Sequence, residues 1–281
     1  MTDTVTSKIG GTLWLVATPI GNLGDLAPRA IEVLQRVALV CCEDTRRTGT
    51  LLQHAGIRVE RMAVANDHTE FHRIDDVLGV LEAGRDVAVV SDAGTPGISD
   101  PGERLVAAAI DAGYAVAAVP GPVAAITALT ISGLPTDRFV FDGFLPRKGR
   151  ERASRLAEVA DERRTVVLYE APHRIERTIA DLADACGAAR DVVVCRELTK
   201  RFETVVRGTL GSVGLGTPRG EYVIVLSGRP IDDTPVSDDR IISELRADLA
   251  DGSSTKDAVA AVADRLGVSK KSVYALAITD R

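Results

Sequence analysis

Val87-Ala88-Val89-Val90 runs directly into Ser91-Asp92-Ala93-Gly94-Thr95-Pro96-Gly97-Ile98-Ser99-Asp100-Pro101-Gly102, and this junction decides the fold. An unbroken apolar run rich in valine reads as a strand buried on both faces, the kind found in parallel sheets. The loop after it is built for close backbone approach. Gly94, Gly97 and Gly102 remove side chains, Pro96 and Pro101 fix φ, and Asp92 and Asp100 offer acceptors to nearby N–H groups. Asp100 is expected to cap the next helix, with Pro101 at its first position and Glu103 completing a capping box. A loop of this composition at the carboxyl edge of a sheet is a ligand loop.

The same alternation extends outward from this junction. Strands are expected at about 12–17, 38–42, 59–64, 87–91 and 115–119, with helices near 26–36, 45–55, 70–83 and 102–112. After Pro120-Gly121-Pro122 the pattern changes to a helix of small residues running to about Ser132, then a strand from Arg138 to Phe144. Further strands are expected near 165–169, 191–196, 203–208 and 221–227. The gap between Asp191–Arg196 and Glu203–Thr209 is too short for a crossover helix, so these two pair antiparallel and the second sheet is mixed. Arg229 to Ser237 reads as a linker. Beyond it Val259, Val262, Ala263 and Leu266 share one helical face, Gly267 ends that helix, and Ser269 caps another carrying Val273, Leu276 and Ala277. This tail reads equally as a nucleic-acid-reading helix-turn-helix or as a bare helical cap. The expected division is 1–120, 121–230 and 231–281.

Composition narrows the function classes. At 281 residues and 45% hydrophobic content the chain can bury a large core. No apolar run reaches membrane-spanning length, and Met1 to Ile9 lacks the features of a signal or transit peptide, so a cytoplasmic protein is expected. Cys41, Cys42, Cys186 and Cys195 form no C-x-x-C pair and read as reduced thiols. A net charge of -6 excludes a protein that coats nucleic acid by bulk electrostatics, leaving only local basic patches. These are Arg46-Arg47, the run Arg147-Lys148-Gly149-Arg150-Glu151-Arg152, Lys200-Arg201 and Lys270-Lys271.

Five ordered blocks carry a family resemblance. They are the 91–102 loop, Ala17-Thr18-Pro19-Ile20-Gly21-Asn22-Leu23, Glu43-Asp44-Thr45-Arg46-Arg47-Thr48, Pro120-Gly121-Pro122 with Ser132-Gly133-Leu134-Pro135, and Tyr169-Glu170-Ala171-Pro172-His173-Arg174-Ile175. Together they resemble the ribosomal RNA small subunit methyltransferase I family of the tetrapyrrole methylase-like superfamily, over roughly residues 12–280. The resemblance implies two α/β domains of the class III methyltransferase type, a parallel sheet then a mixed one, plus a small helical tail. It implies S-adenosylmethionine as cofactor, 2′-O-methylation of a decoding-region cytidine in 16S rRNA, and a homodimer. Matched residue by residue, it places Pro19, Asp92, Ala93, Gly94, Ile98, Ala125, Ile126, Tyr169, Leu198 and Thr199 around the cofactor.

The residues themselves leave several roles open. Methylating a hydroxyl needs an in-line approach and removal of a proton. Glu43, Asp44 and Glu170 are the leading acid-base candidates, with His68, Glu70 and His173 behind them. Asp92 reads either as a counter-charge to the sulfonium or as a turn-stabilising side chain, and His173 as a core histidine or a site residue. Arg46, Arg47, Arg147, Lys148, Arg150 and Arg174 are the candidates for RNA phosphates, solvated charge being the bland reading. No metal is expected: His68 and His72 have i, i+4 spacing, but Glu70 is misplaced for a zinc helix and no Cys/His cluster adds ligands. A Rossmann dinucleotide site is also excluded, because Pro19-Ile20-Gly21-Asn22-Leu23-Gly24 lacks the paired glycines. The competing readings are a precorrin-type small-molecule methylase and a non-catalytic RNA-binding assembly factor.

Overall fold

Apolar runs separated by amphipathic stretches form a parallel sheet covered on both faces. The computed structural model describes residues 9–66, 68–230 and 237–279. In the first half β1 (Thr12–Val16), β2 (Leu39–Cys42), β3 (Met62–Val64), β4 (Val87–Val90) and β5 (Ala115–Val119) alternate with α1 (Pro28–Arg36), α2 (Thr45–His54), α3 (Ile74–Glu82) and α4 (Glu103–Asp111). The strand order is β3-β2-β4-β1-β5, and every pair is parallel. All of β2 and β4 is buried. Leu34 and Leu52 cover one face of the sheet, and Leu81 and Leu105 cover the other. Asp86 accepts from Thr12 N at 2.8 Å and Trp14 Nε1 at 3.1 Å, tying the start of β1 to the start of β4.

The start of α4 departs from the sequence reading. Gly102, at φ +135°, is its N-cap and supplies no side chain, so neither Pro101 at the first position nor an Asp100–Glu103 capping box is formed. The cap comes from another segment. Glu70 is 3% exposed, and its Oε1 accepts from Gly102 N at 3.1 Å and Leu105 N at 3.0 Å. A carboxylate there satisfies N–H groups at the end of the helix and opposes the positive end of its dipole. A 3-10 turn over Glu70–Arg73 therefore precedes α3, which begins four residues later than periodicity suggests.

The second half contains α5 (Ala124–Ser132), β6 (Phe139–Phe144), α6 (Gly149–Asp161), β7 (Thr165–Glu170), α7 (Ile175–Cys186), β8 (Asp191–Arg196), β9 (Thr204–Thr209) and β10 (Tyr222–Leu226). Its order is β6-β7-β10-β8-β9. β6 runs parallel to β7 and the other pairs are antiparallel, so the sheet is mixed and β8–β9 form the expected antiparallel pair. The small residues Ala125 and Ala128 let α5 lie close over Val167, Val193 and Val223, while α6 and α7 pack Val159, Ile179 and Leu182 on the opposite face. Cys41, Cys42 and Cys195 are buried free thiols, and Cys186 is half-buried.

Both α/β domains belong to one compact unit, Met1–Arg229, and the remainder forms a second, Pro230–Arg281. In the latter, α8 (Asp238–Ala250), α9 (Thr255–Leu266) and α10 (Lys270–Thr279) enclose Ile241, Leu245, Val259, Val262 and Val273. Gly267 at φ +65° ends α9, and Ser269 Oγ accepts from Ser272 N at 3.0 Å to open α10. The sequence reading expected a helical tail, which α8 fits, and delimited α9 and α10 within it but not α8. Within the expected linker, 231–236 lie outside the described residues. Among the described residues no helix is long and apolar enough to cross a membrane.

Candidate functional site

Because β1 and β4 are neighbours, the loops leaving their carboxyl ends lie side by side at the point where the chain changes direction across the sheet. They clip together. Thr18 N donates to Gly94 O at 2.8 Å and Gly94 N donates back to Thr18 O at 3.1 Å. Ser91 Oγ adds a 3.0 Å bond to Gly94 O, and Thr18 Oγ1 a 3.2 Å bond to Ser91 O. Gly94 holds φ +94°, a region glycine enters without penalty. From the second domain the 197–200 loop closes over Gly21, where a Cβ would overlap Lys200 Cγ and Thr199 Oγ1. Glu197 and Thr199 adopt φ +53° and +65° in that loop, strained values for side-chain-bearing residues.

These loops bound a cleft of about 510 Å³. Its apolar wall comes from Ile20, Val123, Ala124, Leu198 and Val223, and its acidic corner from Glu43 and Asp92. Glu43 Oε1 accepts from Asp92 N at 3.0 Å. Asp92 Oδ2 pairs with Arg47 Nη1 at 3.2 Å, whereas Asp92 Oδ1 is buried without a hydrogen-bond partner. Burial pushes the Asp92 carboxyl above its ordinary value, and Arg47 only partly opposes this. Tyr169 stands across the cleft, where its hydroxyl accepts from Ala125 N at 3.1 Å, and burial raises that hydroxyl's pKa.

Of the residues matched to a cofactor wall, Asp92, Ala93, Gly94, Ile98, Tyr169 and Leu198 line this cleft. Pro19, Ala125, Ile126 and Thr199 stand beside it instead. The adjacent Ile20 faces in for Pro19, and Val123 and Ala124 do so two positions before Ala125 and Ile126. Ile126 is 43% exposed on α5. Thr199 Oγ1 is buried without a partner beside Gly21. At α5 Ala125 is buried in the core over the second sheet, whereas Val123 and Ala124 are only partly buried and reach the cleft.

The charged candidates separate by environment. Asp44 caps α2 by accepting from Arg46 N at 2.9 Å, and its carboxylate is gripped by Arg46 Nε and Nη2 at 3.1 and 2.7 Å. These bonds hold the Asp44 carboxyl well below the usual carboxylate range. Glu170 has its side chain fully buried. It accepts from Thr178 Oγ1 at 2.6 Å and Ala171 N at 2.8 Å, and pairs with Arg174 Nε at 3.1 Å. Arg174 spends its remaining reach on Leu145 O at 2.5 Å. Glu170 and Arg174 thus brace the turn between β7 and α7, a structural arrangement where the sequence offered a base and a phosphate clamp. Glu70, another acid-base candidate, is the α4 cap. His173 is exposed at the cleft rim rather than in a core. His68 is exposed in a turn made by Asn66 Oδ1, which accepts from His68 N at 3.1 Å.

The basic run is divided too. Arg147, Lys148 and Arg150 are exposed at the start of α6. Arg152 is buried, bonding Asp181 Oδ2 at 2.8 Å, Pro146 O at 2.9 Å and Thr178 Oγ1 at 3.0 Å. Lys200 is held by Glu197 and Glu221 at 2.8 and 2.9 Å. Among the described residues no group of His, Cys, Asp and Glu is placed to hold a metal ion.

The residues suit S-adenosylmethionine. An apolar wall fits its adenosine, and the buried, unpaired oxygen of Asp92 is matched by a group carrying positive charge or N–H donors, both of which this cofactor has.

Comparison with known proteins agrees with the geometry. The family model described as Tetrapyrrole (Corrin/Porphyrin) Methylases matches residues 12–214, and one described as RsmI C-terminal HTH domain matches 236–281. A protein of Synechocystis sp. named ribosomal RNA small subunit methyltransferase I is 46% identical, the match covering 95% of this chain and 98% of the relative. One of the same name from Xylella fastidiosa is 46% identical, covering 94% and 98%. Among solved structures, the methyltransferase CobJ shares the fold at a TM-score of 0.60 and 19% identity, covering 78% of this chain and 94% of that one. The chain belongs to the tetrapyrrole methylase family and, within it, to the family of ribosomal RNA small subunit methyltransferase I.

Proposed function

We propose that this chain transfers a methyl group from S-adenosylmethionine to a ribose 2′-hydroxyl of small-subunit ribosomal RNA, a decoding-region cytidine being the acceptor that the resemblance implies. The observation that carries the reading is near full-length similarity, at 46% identity, to relatives named for that RNA. The same resemblance favours a homodimer working in the cytoplasm.

Bound in the cleft, the cofactor supplies an electrophilic methyl group on a positively charged sulfur. Asp92 presents the counter-charge, Gly94 lets the backbone approach, and Ile20, Val123 and Leu198 exclude water around the adenosine. With the cofactor held there, in-line transfer of its methyl to the hydroxyl oxygen would be the chemistry it supplies, and this chain's part would be to align the hydroxyl and receive its proton. Glu43 and Glu170 both line the cleft; Glu43, at its acidic corner beside Asp92, is the proton acceptor of this reading, while Glu170 braces the turn between β7 and α7 and Asp44 caps α2. Arg47 at the rim, with Arg46 and the 147–150 cations, favours phosphates of an incoming RNA.

The test incubates tritiated cofactor with immature small subunits, then repeats the reaction with the acceptor nucleotide replaced by its 2′-deoxy analogue. Label in the RNA that disappears with the analogue supports the reading. Label that persists assigns the base as acceptor, and binding without transfer assigns an assembly factor.

A further inference from the structure

We propose that Phe144, at the mouth of the cleft, is the surface on which the base of the acceptor nucleotide stacks; the inference rests on the RNA reading above. Along β6 the register with β7 shifts between Phe141 and Gly143, so Asp142 is an extra residue in the strand. Strand alternation from Phe141, which faces Val167, would otherwise send position 144 to the opposite side of the sheet. The bulge reverses that, placing Phe144 opposite Tyr169, on the face that α5 covers. Bulges of this kind re-aim side chains next to active sites.

The bulge is held on both sides. Asp142 is tied to Arg155 at 3.2 Å. Gly143 takes φ +61°, and a Cβ there would come 3.1 Å from Ser99 Oγ in the ligand loop. The re-aimed ring leans edge-on against Tyr169, with centroids 5.6 Å apart and planes at 61°. Its orientation is therefore set before any ligand arrives, although 51% of the residue remains in water. Phe71 and Phe202 are exposed as well, but of these three exposed phenylalanines Phe144 is the one that lines the cleft, and it is brought there by the change of register.

The partner that fits is a nucleotide base. The deeper apolar wall of Ile20, Val123 and Leu198 suits a cofactor that is mostly enclosed. Phe144 shares the cleft with two exposed side chains able to meet RNA, Arg47 and His173. Proteins that act on single-stranded RNA splay bases out and stack them on aromatic rings flanked by cations.

The test compares full-length wild type with Phe144→Ala, Phe144→Leu and Phe144→Trp, using small-subunit RNA for methyl transfer and calorimetry for cofactor affinity. Circular dichroism confirms that each variant is folded. The expected result is a rise in RNA KM of about ten-fold or more for Ala and Leu, recovery in Trp, and unchanged cofactor affinity throughout. A leucine that performs like phenylalanine, or variants that all match wild type, would overturn the inference. So would a parallel loss of cofactor affinity, which would assign the ring to the cofactor's adenine. Wild type that labels no RNA removes the function proposed above; wild type that labels RNA beside indifferent variants removes only the role of Phe144.

Discussion

Arg47 Nη1 lies 3.2 Å from Asp92 Oδ2, and the pair joins the carboxyl ends of two adjacent strands, β2 and β4. Arg47 is 69% exposed at its side chain and Asp92 20%, so water screens the cation more than the carboxylate. The pair therefore leaves Asp92 only half satisfied, and burial dominates its titration. On the reading proposed above, a cationic ligand entering the cleft would complete the carboxylate.

Asp92→Asn is therefore expected to weaken cofactor binding at least about ten-fold, since a near-contact charge pair in a partly buried site exceeds the 1.4 kcal/mol that a factor of ten requires. The pH dependence has a definite sign. The Asp92 carboxyl titrates above its ordinary value, so affinity falls on acidification at a higher pH than an ordinary aspartate gives, and the Asn variant loses that fall. A raised carboxyl pKa contributes stability that is full below the unfolded value and is lost as pH rises through the folded one. At neutral pH the ligand-free Asn variant is thus no less stable than wild type. Calorimetry across a pH series checks both halves, and equal affinities would remove Asp92 from the site.

Glu70 links the turn before α3 to the start of α4 through two backbone N–H groups. Glu70→Ala leaves both donors without a partner in a buried place, a cost of about 2 kcal/mol. Glu70→Gln keeps an acceptor oxygen and falls between Ala and wild type. Urea unfolding should show a lower midpoint with an unchanged slope for Ala. A midpoint equal to that of wild type would mean that the cap carries no stability.

The sequence was most legible where its signals are local and periodic. The apolar runs that became β1, β2, β4 and β5 end within a residue or so of their expected limits, and Gly94 and Pro96 mark the ligand loop by composition alone. It was least legible where a local signal was outbid by a distant partner. Asp100-Pro101-Gly102-Glu103 reads as a helix start, yet Glu70, 32 residues away, supplies the cap. Arg152 and Arg174 read as surface cations until Asp181 and Glu170 draw them inward. Phe144 left a faint signal, a glycine inside a strand pattern at Gly143, which marks a bulge.

The cysteines should be inert in the folded protein. Desolvation pushes the Cys41 thiol up to about 12 and Cys195 to about 11, and raises Cys42 as well. At pH 8 a thiol with a pKa near 12 is ionised only to about one part in 10⁴, and the thiolate is the reactive form. A disulfide-exchange reagent at that pH is expected to titrate at most the half-buried Cys186 natively, and all four thiols in denaturant. Fast native reaction at two or more sites would contradict the burial of β2 and β8.

The run at the start of α6 gives the sharpest contrast between two kinds of arginine. Arg147, Lys148 and Arg150 are exposed, so replacing them with alanine should change stability by less than about 0.5 kcal/mol. If they meet phosphates, each lost contact flattens the dependence of log K for RNA on log salt by roughly one unit. Arg152 is five residues or fewer from all three but bonds Asp181, Thr178 and Pro146 O. Arg152→Ala strands these acceptors and should cost about 2 kcal/mol, reduced from the fully buried case because Asp181 is 28% exposed. Its salt slope should match wild type once the protein is folded. Salt titrations of RNA binding beside urea unfolding curves separate the two classes: an unchanged slope in the triple variant makes those cations solvent-facing only, and a changed slope in Arg152→Ala would put that buried guanidinium at the RNA.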